Sequence, residues 1–211
     1  MKKITIYLIL VIFIIAGILF LLSRVPAVQD ALFQRLAQSL ISTAPNIFPE
    51  EDSLSALVCG SKSPLPHPTR AETCVMIKAG EETFIFDVGN KSIDNLRNWR
   101  VPLNQLNSIF ISHLHSDHIA ELPEIHMWNW IGTGRQSKLK VYGPEGINQV
   151  LNGFTEAYSL DWKYRNDHHG DQFAPLKAAG FDGYEITDFS DPVYESNGIV
   201  ITAFLVDHKP I

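Results

Sequence analysis

Three histidines and an aspartate fall within six residues, His113-Leu114-His115-Ser116-Asp117-His118. In an extended segment, residues two apart face the same side, so His113, His115 and Asp117 can converge while His118 swings in from the next turn of chain. Two imidazoles on one ion and a carboxylate plus imidazole on a second match the ligand preferences of zinc, with manganese or iron as alternatives. The apolar run Ile109-Phe110-Ile111 just before the cluster reads as a buried strand, which would hold these side chains at a fixed edge.

The elements that must position them alternate along the chain. Strands are expected at Leu54–Cys59, Cys74–Ile77, Thr83–Phe86, Ser108–Ser112, Lys138–Tyr142, Tyr184–Thr187, Val193–Glu195 and Ile199–Val206. Helices are expected at Ser92–Trp99, Ile119–Trp130 and Ile147–Tyr158, with Asp161–Gly183 irregular and polar. This order predicts a mixed α/β layered domain over residues 54–211 and argues against a doubly wound parallel sheet.

Ahead of the domain, Ile4 to Leu22 is apolar except for Thr5, Tyr7 and Gly17. Such a helix spans roughly 28 Å, close to the thickness of a bilayer core. Residues 1–23 are therefore expected to be an uncleaved single-pass anchor in the inner membrane, since no small-residue cleavage site follows them. Lys2 and Lys3 favour a cytoplasmic N-terminus and an extracytoplasmic domain, with Arg24 weighing the other way. Residues 24–53 read as an amphipathic helix over 28–42, followed by a linker through Ser42–Asn46 and Pro49–Asp52.

The formal net charge of −6 is unevenly spread: Lys2, Lys3, Arg24 and Arg35 against Asp30 give the first 43 residues +3, which leaves −9 for the remainder. So acidic a domain is a poor partner for a phosphate backbone, and nucleic acid is not the expected ligand. Cys59 and Cys74 are either a bridge between neighbouring strands or two free core cysteines.

The cluster at 113–118 matches the HxHxDH signature of the metallo-β-lactamase superfamily. The likeness extends over most of residues 54–211 and resembles one branch, that of ribonuclease Z and the zinc-dependent arylsulfatases. Cys59–Pro64 is similar to its first glycine loop, Phe86-Asp87-Val88-Gly89 to its aspartate motif, Val141–Gly146 to a later turn, and Ala203–His208 to the strand that delivers a third histidine. The resemblance implies an αββα sandwich in which His113, His115 and His208 hold one zinc and Asp117 and His118 a second. Asp87 would steer a ligand by hydrogen bond, and Asp117 could also accept a proton from the attacking water. In that branch a bridging aspartate and a last histidine come after the third histidine. The present sequence ends three residues past His208, so the expectation is a fragment or an incomplete second site.

The expected activity is metal-dependent hydrolysis of a small sulfate or phosphate ester by a membrane-anchored enzyme. A transfer-RNA 3′-processing endonuclease and an inactive metal-binding remnant are the alternatives. Against the endonuclease stand the anchor, the acidic domain and the absence of a basic, glycine-rich arm within Gly153–Phe189. His67 and Arg70 are candidates to contact the anionic ester. His126 is read as packing, and His168 and His169 beside Asp171 as a polar loop. The oligomeric state is left open, with a homodimer among the options.

Overall fold

The computed structural model describes residues 2–42, 47–49 and 52–209. The chain divides into two compact units, Met1–Thr43 and Ala44–Ile211. The first holds helices α1 (Lys2–Leu22) and α2 (Pro26–Ser42). Pro26 has no N–H to continue the α1 ladder and restricts Val25 before it, so the helix stops and restarts with proline in its first turn. Among the described residues no single helix is long and apolar enough to cross a membrane. Ile6–Leu22 and Pro26–Phe33 reach that length and hydropathy only together, across an 86° bend. The single-pass anchor expected over residues 1–23 is therefore not supported, although α1 occupies that stretch as one helix. Most of the expected linker, residues 43–46 and 50–51, lies outside the described residues.

The second unit is built on a six-stranded sheet in the order β1-β2-β3-β4-β5-β6. Its strands are β1 (Leu54–Gly60), β2 (Cys74–Ala79), β3 (Glu82–Phe86), β4 (Leu106–Phe110), β5 (Leu139–Pro144) and β6 (Phe181–Ile186). The first three pair antiparallel, β1 and β2 through the long loop 61–73 and β2 and β3 through a tight turn, and β3 to β6 run parallel. Parallel neighbours need crossovers, supplied by α3 (Ser92–Asn98), by α4 (Ser116–Ile119) with α5 (Leu122–Trp130), and by α6 (Ile147–His169). The mixed sheet agrees with the layered α/β expectation.

Strand alternation sorts the side chains between two faces. Ile85, Ile109 and Val141 are fully buried, as are Ile93 and Leu96 of α3, Leu122, Ile125 and Trp130 of α5, and Ile147 of α6; this is the core under the helices. Gly183 of β6 lets α6 approach: a Cβ there would lie 2.1 Å from Asn148 Oδ1 and 2.7 Å from a Leu151 methyl. The opposite face carries one stacked ring per strand, Phe86–Phe110–Tyr142–Tyr184, with centroids 5.1, 4.8 and 4.7 Å apart. Over it lies a two-stranded hairpin, β7 (Tyr194–Ser196) and β8 (Ile199–Ile201). Tyr194 of that hairpin meets Phe84, Phe110 and Tyr142 edge-on. Three of the four layers of an αββα sandwich are thus present; among the described residues no helix covers the outer side of β7–β8.

Two expectations differ. α6 continues through the stretch expected to be irregular, because no glycine or proline falls between Phe154 and His169 and Trp162 anchors it to the core. Ion pairs Arg165–Asp161 and Lys163–Asp167 line its solvent side. The expected strand Ile199–Val206 stops at Ile201, where its pairing with β7 ends. Beyond it no strand among the described residues offers a ladder, and Phe204, Leu205 and Val206 are exposed.

Candidate metal centre

Parallel strands β3 and β4 end side by side, and the loops that leave their carboxyl ends build the site, as is usual for open α/β sheets. Asp87, immediately after β3, adopts a left-handed backbone (φ 59°), a conformation aspartate tolerates better than most residues. Its amide donates to the Phe110 carbonyl at 2.9 Å. Its buried carboxylate accepts the Ser112 N–H (2.8 Å), the Ser112 hydroxyl (2.8 and 3.0 Å) and His118 Nδ1 (2.8 Å). With Nδ1–H committed to Asp87, His118 turns its Nε2 lone pair outward, 3.5 Å from Asp117 Oδ2.

The Asp87–Asn90 turn is also locked to α4. Val88 N–H donates to the His118 carbonyl at 2.8 Å, and Glu121 N–H to the Val88 carbonyl at 2.9 Å. Gly89 is required for this approach, since a Cβ there would lie 2.1 Å from the Asp117 carbonyl oxygen and 2.4 Å from Glu72 Cβ. The Glu121 carboxylate accepts the Lys91 and Ile93 amides and so caps α3. Burial lifts its pKa above the ordinary carboxylate range in spite of those donors.

His113, His115 and His208 form the other group. Each offers a ring nitrogen, and all three lie within 4.8 Å of one another. His113 Nε2 and His115 Nδ1 are 3.0 Å apart, and the His208 ring centroid is 4.7 Å from that of His113. Burial, then the neighbouring His118, His115 and His208, hold the His113 pKa below its usual value, which favours the neutral imidazole that a metal requires. Three convergent imidazoles fit zinc. His208 arrives on the irregular segment after β8 rather than on a strand.

The histidines and Asp117 line a cleft of 590 Å³ together with Ser61, Lys62, Ser63, Pro64 and Thr73. His67 and Arg70 do not line it. Both are exposed, and His67 Nδ1 accepts the Thr69 and Arg70 amides as a turn cap within its own loop. Ser61 and Lys62 lie in the segment that resembles the branch's first glycine loop, but nothing in the sequence marks them or Thr73 as lining a cleft, since a Gly-Ser-Lys-Ser loop has the composition of any solvated turn. Cys59 and Cys74 form a disulfide.

His126 sits away from the cleft, 1% exposed among Trp130, Trp162 and Phe181. Its Nε2 accepts the Gly180 amide at 2.8 Å. Nδ1 therefore carries the proton and lies near the Ala178 carbonyl without a hydrogen bond of normal geometry. Burial pushes its pKa down to about 4. His168 and His169 occupy the last turn of α6, so the expected polar loop is helical there.

Residues 57–174 match the family described as Anti-Pycsar protein Apyc1. Ribonuclease Z of Mycobacterium marinum (strain ATCC BAA-535 / M) is 31% identical over 155 residues, which cover 72% of this chain and 53% of that protein. Ribonuclease Z of Mycobacterium bovis (strain BCG / Pasteur 1173P2) is 29% identical over 160 residues, covering 75% and 55%. The chain therefore spans about half the length of the curated relatives it matches. Among solved structures, the metallo-beta-lactamase fold protein YhfI from Bacillus subtilis aligns with a TM-score of 0.47 at 18% identity, over 68% of this chain and 49% of that one.

Proposed function

Since the chain belongs to the family described as Anti-Pycsar protein Apyc1 and is similar to ribonuclease Z proteins, we propose that it is a metal-dependent phosphodiesterase of the metallo-β-lactamase superfamily acting on RNA. Transfer-RNA precursors are the first substrate to test. The observation that carries the reading is the convergence of His113, His115 and His208 beside an Asp117–His118 pair already oriented by Asp87. This reading goes against the expectation that nucleic acid is not the ligand, which rested on the anchor, the acidic domain and the missing basic arm in Gly153–Phe189.

In this reading His113, His115 and His208 hold one zinc, and Asp117 and His118 hold a second. Ions bound there would supply water of lowered pKa and a clamp for a phosphoryl oxygen. The protein's own groups do the rest. Asp87 keeps the His118 proton on Nδ1 so that Nε2 stays available. Ser112 shares its hydroxyl between Asp87 and the His113 and His118 rings, fixing their planes. Asp117, 6% exposed at the cleft floor, is the carboxylate placed to take a proton from attacking water.

A second reading is favoured by the Cys59–Cys74 disulfide, which belongs in an oxidising compartment. There the domain would lie outside the cytoplasm, tethered through the apolar α1, and would cleave a small sulfate or phosphate ester. In support, Gly153–Phe189 holds the body of α6 and β6, and no basic arm projects from it among the described residues. The test uses the zinc-loaded full chain in detergent. Specific cleavage of precursor transfer RNA supports the first reading. Hydrolysis of 4-nitrophenyl sulfate without RNA cleavage supports the second, and loss of neither substrate overturns both.

A further inference from the structure

The part of the cleft lining outside the histidine cluster comes from a single loop closed by the disulfide, since Ser61, Lys62, Ser63, Pro64 and Thr73 all lie between Cys59 and Cys74. Lys62 differs from its neighbours there. Among the described lining residues it alone carries a permanent positive charge. Its side chain is only 11% exposed, and Nζ lies 2.7 Å from Glu72 Oε1, itself on an 11% exposed side chain. The second Glu72 oxygen accepts the Asn90 amide at 2.9 Å, and the Lys62 amide donates to the Ala71 carbonyl at 2.9 Å. Backbone and ammonium are therefore both held before any ligand arrives.

An ammonium has three N–H donors and no acceptor. Glu72 takes one, and the Ser63 carbonyl, at 3.5 Å, is at best a weak partner for a second. At least one donor is left over at the cleft. We propose that Lys62, preset by Glu72, binds a non-bridging oxygen of the substrate's tetrahedral anion, in the cleft shared with the metal ligands. The pair Lys62–Glu72 is neutral before binding, so the wall suits an ester carrying one negative charge, which a phosphodiester does. Lys62 is thus a substrate-contacting residue and Glu72 its positioning partner. This assignment rests on the phosphodiesterase reading above.

The probe is bis(4-nitrophenyl) phosphate, titrated calorimetrically into the EDTA-treated full chain so that binding is read without turnover. Lys62→Met should weaken binding roughly 10-fold or more, as expected for a lost charge-assisted hydrogen bond. Lys62→Arg should restore most of it, and Glu72→Gln should weaken it less than Lys62→Met does. In the unaltered protein the same diester should protect Lys62 from amine acetylation, read by mass spectrometry, while Lys78 acetylates at an unchanged rate; this arm needs no variant to fold. Unchanged affinity in Lys62→Met, no binding by the unaltered protein, or no protection of Lys62 overturns the assignment. Loss of binding in Lys62→Met from a protein that cleaves neither RNA nor the diester when loaded with zinc would leave the assignment standing and remove the phosphodiesterase reading instead.

Discussion

Asp87 Oδ2 and His118 Nδ1 lie 2.8 Å apart although 31 residues separate them in the chain. The same carboxylate takes the Ser112 amide and hydroxyl, so one side chain joins the end of β3 to both ends of the histidine cluster. Asp87→Asn keeps the shape but leaves a single acceptor oxygen and introduces an NH2 group that cannot accept from His118. Zinc affinity, measured by chelator competition, should fall by roughly 10- to 100-fold, with the far-UV spectrum unchanged. Equal affinity would remove Asp87 from the site.

Gly89 allows the aspartate turn to lie against α4. Gly89→Ala places a methyl 2.1 Å from the Asp117 carbonyl oxygen, where backbone must move. A loss of about 1–3 kcal/mol is expected in urea unfolding, together with weaker metal binding than in the unaltered protein.

Reducing the Cys59–Cys74 bridge, or replacing both residues with alanine, opens a loop whose ends are 15 residues apart. Closure of such a loop contributes about 3 kcal/mol. The melting temperature should drop by roughly 6–12 °C for a domain of this size, read by calorimetry with and without reductant. Because the loop forms one wall of the cleft, KM for a cleaved ester should rise more than kcat falls.

His126 makes stability depend on pH in a defined direction. Its folded pKa, about 4, lies below the 6.5 of an exposed histidine. The unfolded chain therefore binds the extra proton first as pH falls. The stability this site contributes is full above pH 6.5 and lost progressively down to about pH 4, a change of about 3 kcal/mol. His126→Phe should remove that part of the acid sensitivity; parallel urea titrations at pH 7 and pH 4.5 that lose stability equally in both proteins would refute it.

What the sequence reveals and what it hides follow from range. The cluster His113–His118 is legible because its ligands are local, and strand alternation exposes the faces of β3 to β5 because one face is helix-covered. His208 could be placed as a ligand through resemblance, yet its segment is irregular, since strand formation depends on a neighbour that no local pattern specifies. The break between α1 and α2 falls at Pro26, a local signal, whereas the angle across it depends on no local pattern. Lys62 is hidden for another reason: its role comes from Glu72, ten residues on, and from a cleft wall defined only once the loop is closed. The disulfide is hidden for the same reason, since pairing of Cys59 with Cys74 is a matter of strand register.

The ring ladder on the sheet has a consequence for that register. Phe86 immediately precedes Asp87, and Phe110 stands two residues before Ser112. Their stacking at 5.1 Å therefore works as a vernier between two strands: slide either by one residue and its ring swings to the helix side, carrying the aspartate or the serine out of reach of the other. The apolar contact that aligns the strands thereby sets the level at which Asp87 and Ser112 meet. A repacking of Phe110 would be felt at the histidines without touching them.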